Sequence, residues 1–98
     1  MILTSSQRKY LRSLAHHIKP SVYIGKNDLT QGAIASINDS LNAHELIKIK
    51  FHNNKITKSD ISMLEKELKC SITGNIGKTA IIFRQNEDKD LQKIKLPK

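Results

Sequence analysis

The sequence predicts a compact α/β domain, a two-layer sandwich of three helices on a mixed sheet of about four strands. Three observations predict it. Apolar residues recur at helical spacing in separate stretches, and short β-branched or alternating runs lie between them. Hydroxyl or carboxylate residues with a polar partner three positions on mark where the helices begin. With 98 residues there is room for one core and not for two. Residues 1–86 read as the folded unit. Residues 87–98, "EDKDLQKIKLPK", read as a loosely held basic C-terminal tail.

Thr4 and Gln7 open the first helix, each able to satisfy a backbone donor of the other's end. Leu11, Leu14, Ala15 and Ile18 then form an i, i+3, i+4, i+7 stripe. At ~100° per residue, Arg8, Arg12, His16 and Lys19 fall within about 80° of one another and away from that stripe. Lys9 adds a further cation, and Pro20 is expected to end the helix. Residues 21–24 read as a short strand. Asp28 with Gln31 repeats the capping spacing for a second helix, with Leu29, Ala33, Ile37 and Leu41 facing inward. Asn42, Ala43 and His44 close it.

"LIKIKF" alternates in its second half, so Leu46–Phe51 is a strand with Lys48 and Lys50 on one face. Thr57 with Asp60 caps a third helix carrying Ile61, Leu64 and Leu68. Its outer side mixes Glu65, Lys66, Glu67 and Lys69, the pattern of a solvated face. Residues 71–76 and 79–84 flank Gly77 and Lys78, which suit a tight hairpin. The order αβαβαββ therefore implies parallel pairing in part of the sheet and an antiparallel hairpin to close it.

Charge narrows the function. Lys and Arg number 17 against 9 Asp and Glu, a net +8, which points to a polyanionic partner. The excess is segregated: Arg8, Lys9, Arg12, Lys19 and Lys26 precede the first acidic residue, and Lys48, Lys50, Lys55 and Lys58 share a second acid-free window. No apolar run approaches the ~18 residues of a membrane span, and the N-terminus does not read as a secretory signal. A lone Cys70 cannot form an internal disulfide. A cytoplasmic protein with no membrane partner is expected, and a monomer. His16, His17 and His44 lack ligands at metal spacing, and Cys70 lacks an adjacent base. Neither a metal, a cofactor nor an enzyme activity is expected. Tyr10, Tyr23, Phe51 and Phe83 are the only aromatics. Tyr23 and Phe83 lie in strand patterns where packing is the expected role, which disfavours recognition of splayed bases.

The stretch "VYIGKNDLTQG" ends a strand on a glycine and leads into a helix. Backbone N–H groups at such a junction, with Gly25 allowing close approach and Lys26 adding charge, suit a phosphate. The pattern is neither a nucleotide-hydrolysing loop nor a dinucleotide fingerprint.

"AHHIKPSVYIGKNDLTQG", "HELIKIKF" and "IGKTAIIFR" resemble, in order and spacing, the CRM domain (chloroplast RNA splicing and ribosome maturation), and more narrowly the YhbY-type bacterial ribosome assembly proteins. The resemblance runs from Leu3 to Pro97. It implies a fold similar to the C-terminal domain of translation initiation factor three. It also implies RNA binding without catalysis, on precursors of the large ribosomal subunit and their rRNA. The family's Gly-x-x-Gly turn falls on Gly25, Lys26, Asn27 and Asp28, where Asp28 departs from the usual glycine. A literal Gly-x-x-Gly at Gly74–Gly77 lies in the hairpin region and reads as turn chemistry. The expected RNA-contacting residues are Arg8, Lys9, Arg12, Lys19, Gly25, Lys26, Asn27, Asp28, Lys48, Lys50, Lys78 and Arg84. Two rival readings use the same surface: a general RNA chaperone or intron-binding module, and a protein-interaction module gripping an acidic partner.

Overall fold

The structure is a computed structural model and describes residues 2–25, 29–52 and 56–97. Its elements run α1 (Ser5–Ala15), β1 (Val22–Ile24), α2 (Gln31–His44), β2 (Leu46–Phe51), α3 (Lys58–Leu68), β3 (Ser71–Ile76) and β4 (Thr79–Phe83), followed by a 3₁₀ turn at Lys89–Leu91. The sheet has strand order β1-β2-β4-β3. β1 runs parallel to β2, whereas β4 lies antiparallel between β2 and β3. The single parallel pair spans the α2 crossover. The β3–β4 hairpin turns on Gly77, whose φ of +59° suits a glycine.

Strand alternation divides the apolar residues between two cores. Val22, Ile24, Ile47, Ile49, Ile72 and Ile82 meet Ile37 and Leu41 of α2 and Leu64 and Leu68 of α3 on one face. Leu46, Ile81 and Phe83 meet Leu11 and Ala15 of α1 on the other, with Leu3, Ile94 and Leu96. The sheet with α2 and α3 makes the expected two layers, and α1 with the C-terminal segment adds to them on the opposite side.

Helix starts follow local chemistry. Thr4 Oγ1 accepts from Gln7 N (3.1 Å) while Gln7 Oε1 accepts from Thr4 N (2.9 Å). Thr57 and Asp60 make the same reciprocal pair. The second helix departs from expectation. Its N-cap is Thr30, whose hydroxyl accepts from Ala33 N at 3.1 Å, so the helix begins at Gln31 and Asp28 is not its cap. The threonine hydroxyl reaches the third helical N–H, as an N-cap must. The first helix also ends early, at Ala15, with His16 as C-cap. Ile18 N donates to Ala15 O as the chain turns, so Lys19 lies beyond the helix.

The C-terminal segment is docked, which corrects the expectation of a loose tail. Ile94 and Leu96 pack on the α1 core, and Gln7 Nε2 donates to Pro97 O at 3.0 Å. Glu45, only 1% exposed, accepts from the backbone N–H groups of Asn86 (2.6 Å), Lys93 (2.6 Å) and Ile94 (2.9 Å). A polar-looking tail is held by a buried carboxylate and two apolar side chains.

Candidate nucleic-acid interface

One face of the sheet is only partly covered. α1 packs on β2, β3 and β4, and it leaves β1 and the adjoining ends of the other strands bare. There the register aligns Tyr23 with Lys50, Lys50 with Thr79, and Thr79 with Ile76. At the usual strand spacing this row crosses the sheet over about 14 Å. Tyr23 is 69% and Ile76 79% exposed. The neighbouring row on the same face is Lys48, Ile81 and Gly74. The stem of Arg12 lies across Gly74, and its Nη1 donates to Thr73 O at 3.1 Å. A β-bulge between Ile72 and Gly74 sets that carbonyl beneath the helix.

At the carboxyl ends of β1 and β2 the bare row opens into a groove of about 570 Å³. Gly25, Lys50 and Lys78 line it with Tyr23 and His52, and Ile24 and Phe51 close its inner side. Backbone bonds fix the walls: His52 N donates to Ile24 O (2.8 Å), and Phe51 N to Lys78 O (2.7 Å). Lys78 Nζ lies 3.4 Å from His52 O. Among the described residues no carboxylate lines the groove. Two ammonium groups beside an open glycine give the groove a positive potential, which favours a negatively charged ligand.

The expected contact residues divide accordingly. Gly25, Lys50 and Lys78 meet in the groove, with Lys48 half-buried one row away and Arg12 beside it on the same face. Arg8 and Lys9 are exposed on α1, one turn or less before Arg12, and Lys19 is exposed between α1 and β1. Lys26, Asn27 and Asp28 lie outside the described residues.

Arg84 is a different case, set away from the groove and bonded within the chain. Its Nη1 donates to Asn38 Oδ1 (2.8 Å) and Leu68 O (3.0 Å), and its Nη2 to Asn38 O (3.2 Å) and Asn42 Oδ1 (2.8 Å). That guanidinium joins α2 and the end of α3 on the face opposite Lys50, and its planar fork is committed to the chain's own acceptors.

Tyr23 corrects the sequence expectation most directly, since its ring does not pack. The signal was present in the Val-Tyr-Ile run: with period two, burial of Val22 and Ile24 turns Tyr23 to the other face, which α1 does not reach. Cys70 behaves as the core residue it was read to be. Its Sγ donates to Leu64 O at 3.4 Å, and burial, with Glu65 nearby, pushes the thiol from 9.0 up to about 11. A thiol so held is a poor nucleophile at neutral pH. Among the described residues no helix is long and apolar enough to cross a membrane, and no group of His, Cys, Asp or Glu could hold a metal ion.

Residues 3–84 match the CRS1 / YhbY (CRM) domain. The chain belongs to that family. Several CRM relatives are of nearly the same length. The Haemophilus influenzae "RNA-binding protein" is 38% identical over 98% of this chain and 96% of its own. The Bacillus subtilis "Probable RNA-binding protein YqeI" is 34% identical over 98% of this chain and all of its own. The solution structure of SAV1595 from Staphylococcus aureus superposes with a TM-score of 0.74 at 34% identity, covering 98% of this chain and 100% of that one. In this chain α1, the bare row and the end of β1 lie on one side of the sheet.

Proposed function

We propose that this CRM protein binds RNA through the bare sheet face and α1, and that its target is rRNA in precursors of the large ribosomal subunit. It assists assembly by holding an immature rRNA conformation, and no catalytic step is involved. One observation carries the reading: Lys50 and Lys78 line the groove beside Gly25, Lys48 and Arg12 lie on the same sheet face, and no carboxylate lines the groove among the described residues. The relatives' names support an RNA ligand, and the family resemblance supplies the ribosomal target. Arg8, Lys9 and Lys19 extend the surface along and beyond α1. Lys26, Asn27 and Asp28 follow Gly25 directly and are proposed from sequence to complete the turn's contacts. The cations bind phosphates and fix orientation, which by itself reads shape more than base sequence.

The test is sedimentation. A tagged chain in a lysate should co-migrate with large-subunit precursors on a gradient, and Arg12→Glu/Lys50→Glu should move it to the top. Wild-type protein that binds RNA fragments but spreads evenly through the gradient would favour a general RNA chaperone instead. Protein that stays with precursors despite both charge reversals would place the footprint elsewhere.

A further inference from the structure

The structure holds a feature that phosphate binding leaves unused. Tyr23 presents the one exposed phenyl-type ring in the groove's lining, with the exposed His52 imidazole on the same groove, while Phe51 is buried. A large ring on an edge strand, flanked by two buried aliphatics, gives the fold no packing in return for its exposure. Among the described residues its phenol makes no hydrogen bond. The register sets Lys50 directly across from it, and Lys78 lies on the far side of the same groove. Gly25 faces open space: a Cβ there would meet nothing within 4 Å, and its φ is not in the left-handed region. Among the described residues neither packing nor backbone angle requires the glycine, and the open space beside it leaves room for an occupant of the groove.

We propose that this groove takes an unpaired RNA nucleotide, its base stacked on the Tyr23 ring and its flanking phosphates on Lys50 and Lys78. The inference rests on the RNA-binding reading and sharpens it, from folded RNA in general to RNA that presents a base outside a helix. Every base has a π-face, so a bare aromatic beside cations is the common device for holding single-stranded nucleic acid. The groove volume lies within the ~300–1,000 Å³ range of sites for small organic ligands. The exposed ring favours a nucleotide over the other anionic occupant such a site could take, an acidic peptide. A carboxylate would satisfy the lysines but leave the ring uncovered.

The experiment compares a fluorescein-labelled oligoadenylate of ten nucleotides with a blunt mixed-sequence RNA duplex, each titrated with wild type, Tyr23→Phe and Tyr23→Thr. Threonine keeps β propensity and removes the ring, and thermal melts of each variant verify folding. Tyr23→Phe should bind the oligoadenylate as wild type does, whereas Tyr23→Thr should bind it about five- to a hundredfold more weakly. Its salt slope should be unchanged, because stacking releases no counterions. Duplex affinity should be the same in all of them. The chain has no Trp and its tyrosines are Tyr10 and Tyr23, so in Tyr10→Phe the remaining emission reports Tyr23 alone. Oligoadenylate should quench it, and polyglutamate should not.

Undiminished oligoadenylate binding by folded Tyr23→Thr overturns the stacking site and leaves the RNA-binding reading standing. Equal loss for oligoadenylate and duplex overturns it too, since the ring would then serve the surface as a whole. Polyglutamate that quenches and competes as well as the oligonucleotide replaces the nucleotide with an acidic protein. Failure of wild type to bind either RNA defeats both readings at once.

Discussion

Arg12 shows how a single side chain is aimed by the residue beneath it. Its stem crosses Gly74 so closely that a Cβ there would lie 2.9 Å from Cδ and 3.3 Å from Cγ. Gly74 is needed for that approach and not for its backbone angle, unlike Gly77 in the turn. In Gly74→Ala the arginine has to lift from the sheet, because the β3 backbone is pinned by pairing with Ile81 of β4. The bond from Arg12 Nη1 to Thr73 O is then lost. An exposed partner and one bond set the stability change at about 1 kcal/mol. RNA affinity should fall with the displaced guanidinium, and Arg12→Ala should add little further loss in the Gly74→Ala background. A double-mutant cycle read by RNA titration checks this: fully additive losses would show that the glycine acts independently of Arg12.

Glu45 plays the corresponding part between elements. It links the end of α2 to β2 at φ +60°, ψ −44°, a conformation that few non-glycine residues adopt. Its N–H donates to Leu41 O and its carbonyl accepts from Arg84 N, while its carboxylate takes the three N–H groups of the C-terminal segment. Removing the carboxylate leaves buried donors unsatisfied, so Glu45→Ala should destabilise the fold by about 2–4 kcal/mol. Limited proteolysis should then cut after Lys89 or Lys93 before the rest of the chain, whereas those sites in wild type should resist. Equal protection of the segment in a folded Glu45→Ala would mean that Ile94 and Leu96 hold it unaided. This link was invisible in the sequence, where "HELIKIKF" places Glu45 at a helix–strand junction that looks solvated. Capping boxes at Thr4 and Thr57, the strand periods and the hairpin glycine were legible because their causes lie within a few residues. The α2 start was misread because Asp28 and Thr30 both offer a cap, and local spacing does not choose between them. The exposure of Tyr23 and the internal bonds of Arg84 were not legible for a third reason. They depend on which sheet face α1 covers and on where Asn38, Asn42 and Leu68 arrive, both settled by tertiary packing.

Across the whole molecule the positive charge is unevenly used. The α3 side carries Glu65 and Glu67 among its lysines, while the α1 side gathers cations beside a groove that no carboxylate lines among the described residues. Two explanations of RNA affinity therefore separate: a net +8 that attracts any polyanion, or a face on which particular phosphates sit. Reversing Arg12 and Lys50 to glutamate lowers the net charge by the same amount as reversing Lys66 and Lys89. Of the first pair, Lys50 lies in the bare row and Arg12 on α1 beside it; the second pair lies on α3 and on the C-terminal 3₁₀ turn. If particular contacts matter, Arg12→Glu/Lys50→Glu should bind RNA weakly with a salt slope reduced by about 0.7–0.9 for each phosphate lost. Lys66→Glu/Lys89→Glu should keep most of the affinity and the wild-type slope, with only the screened long-range attraction reduced. Titrations of one RNA fragment at several salt concentrations decide it. Parallel losses in the two variants would mean that overall charge, and not this face, holds the RNA.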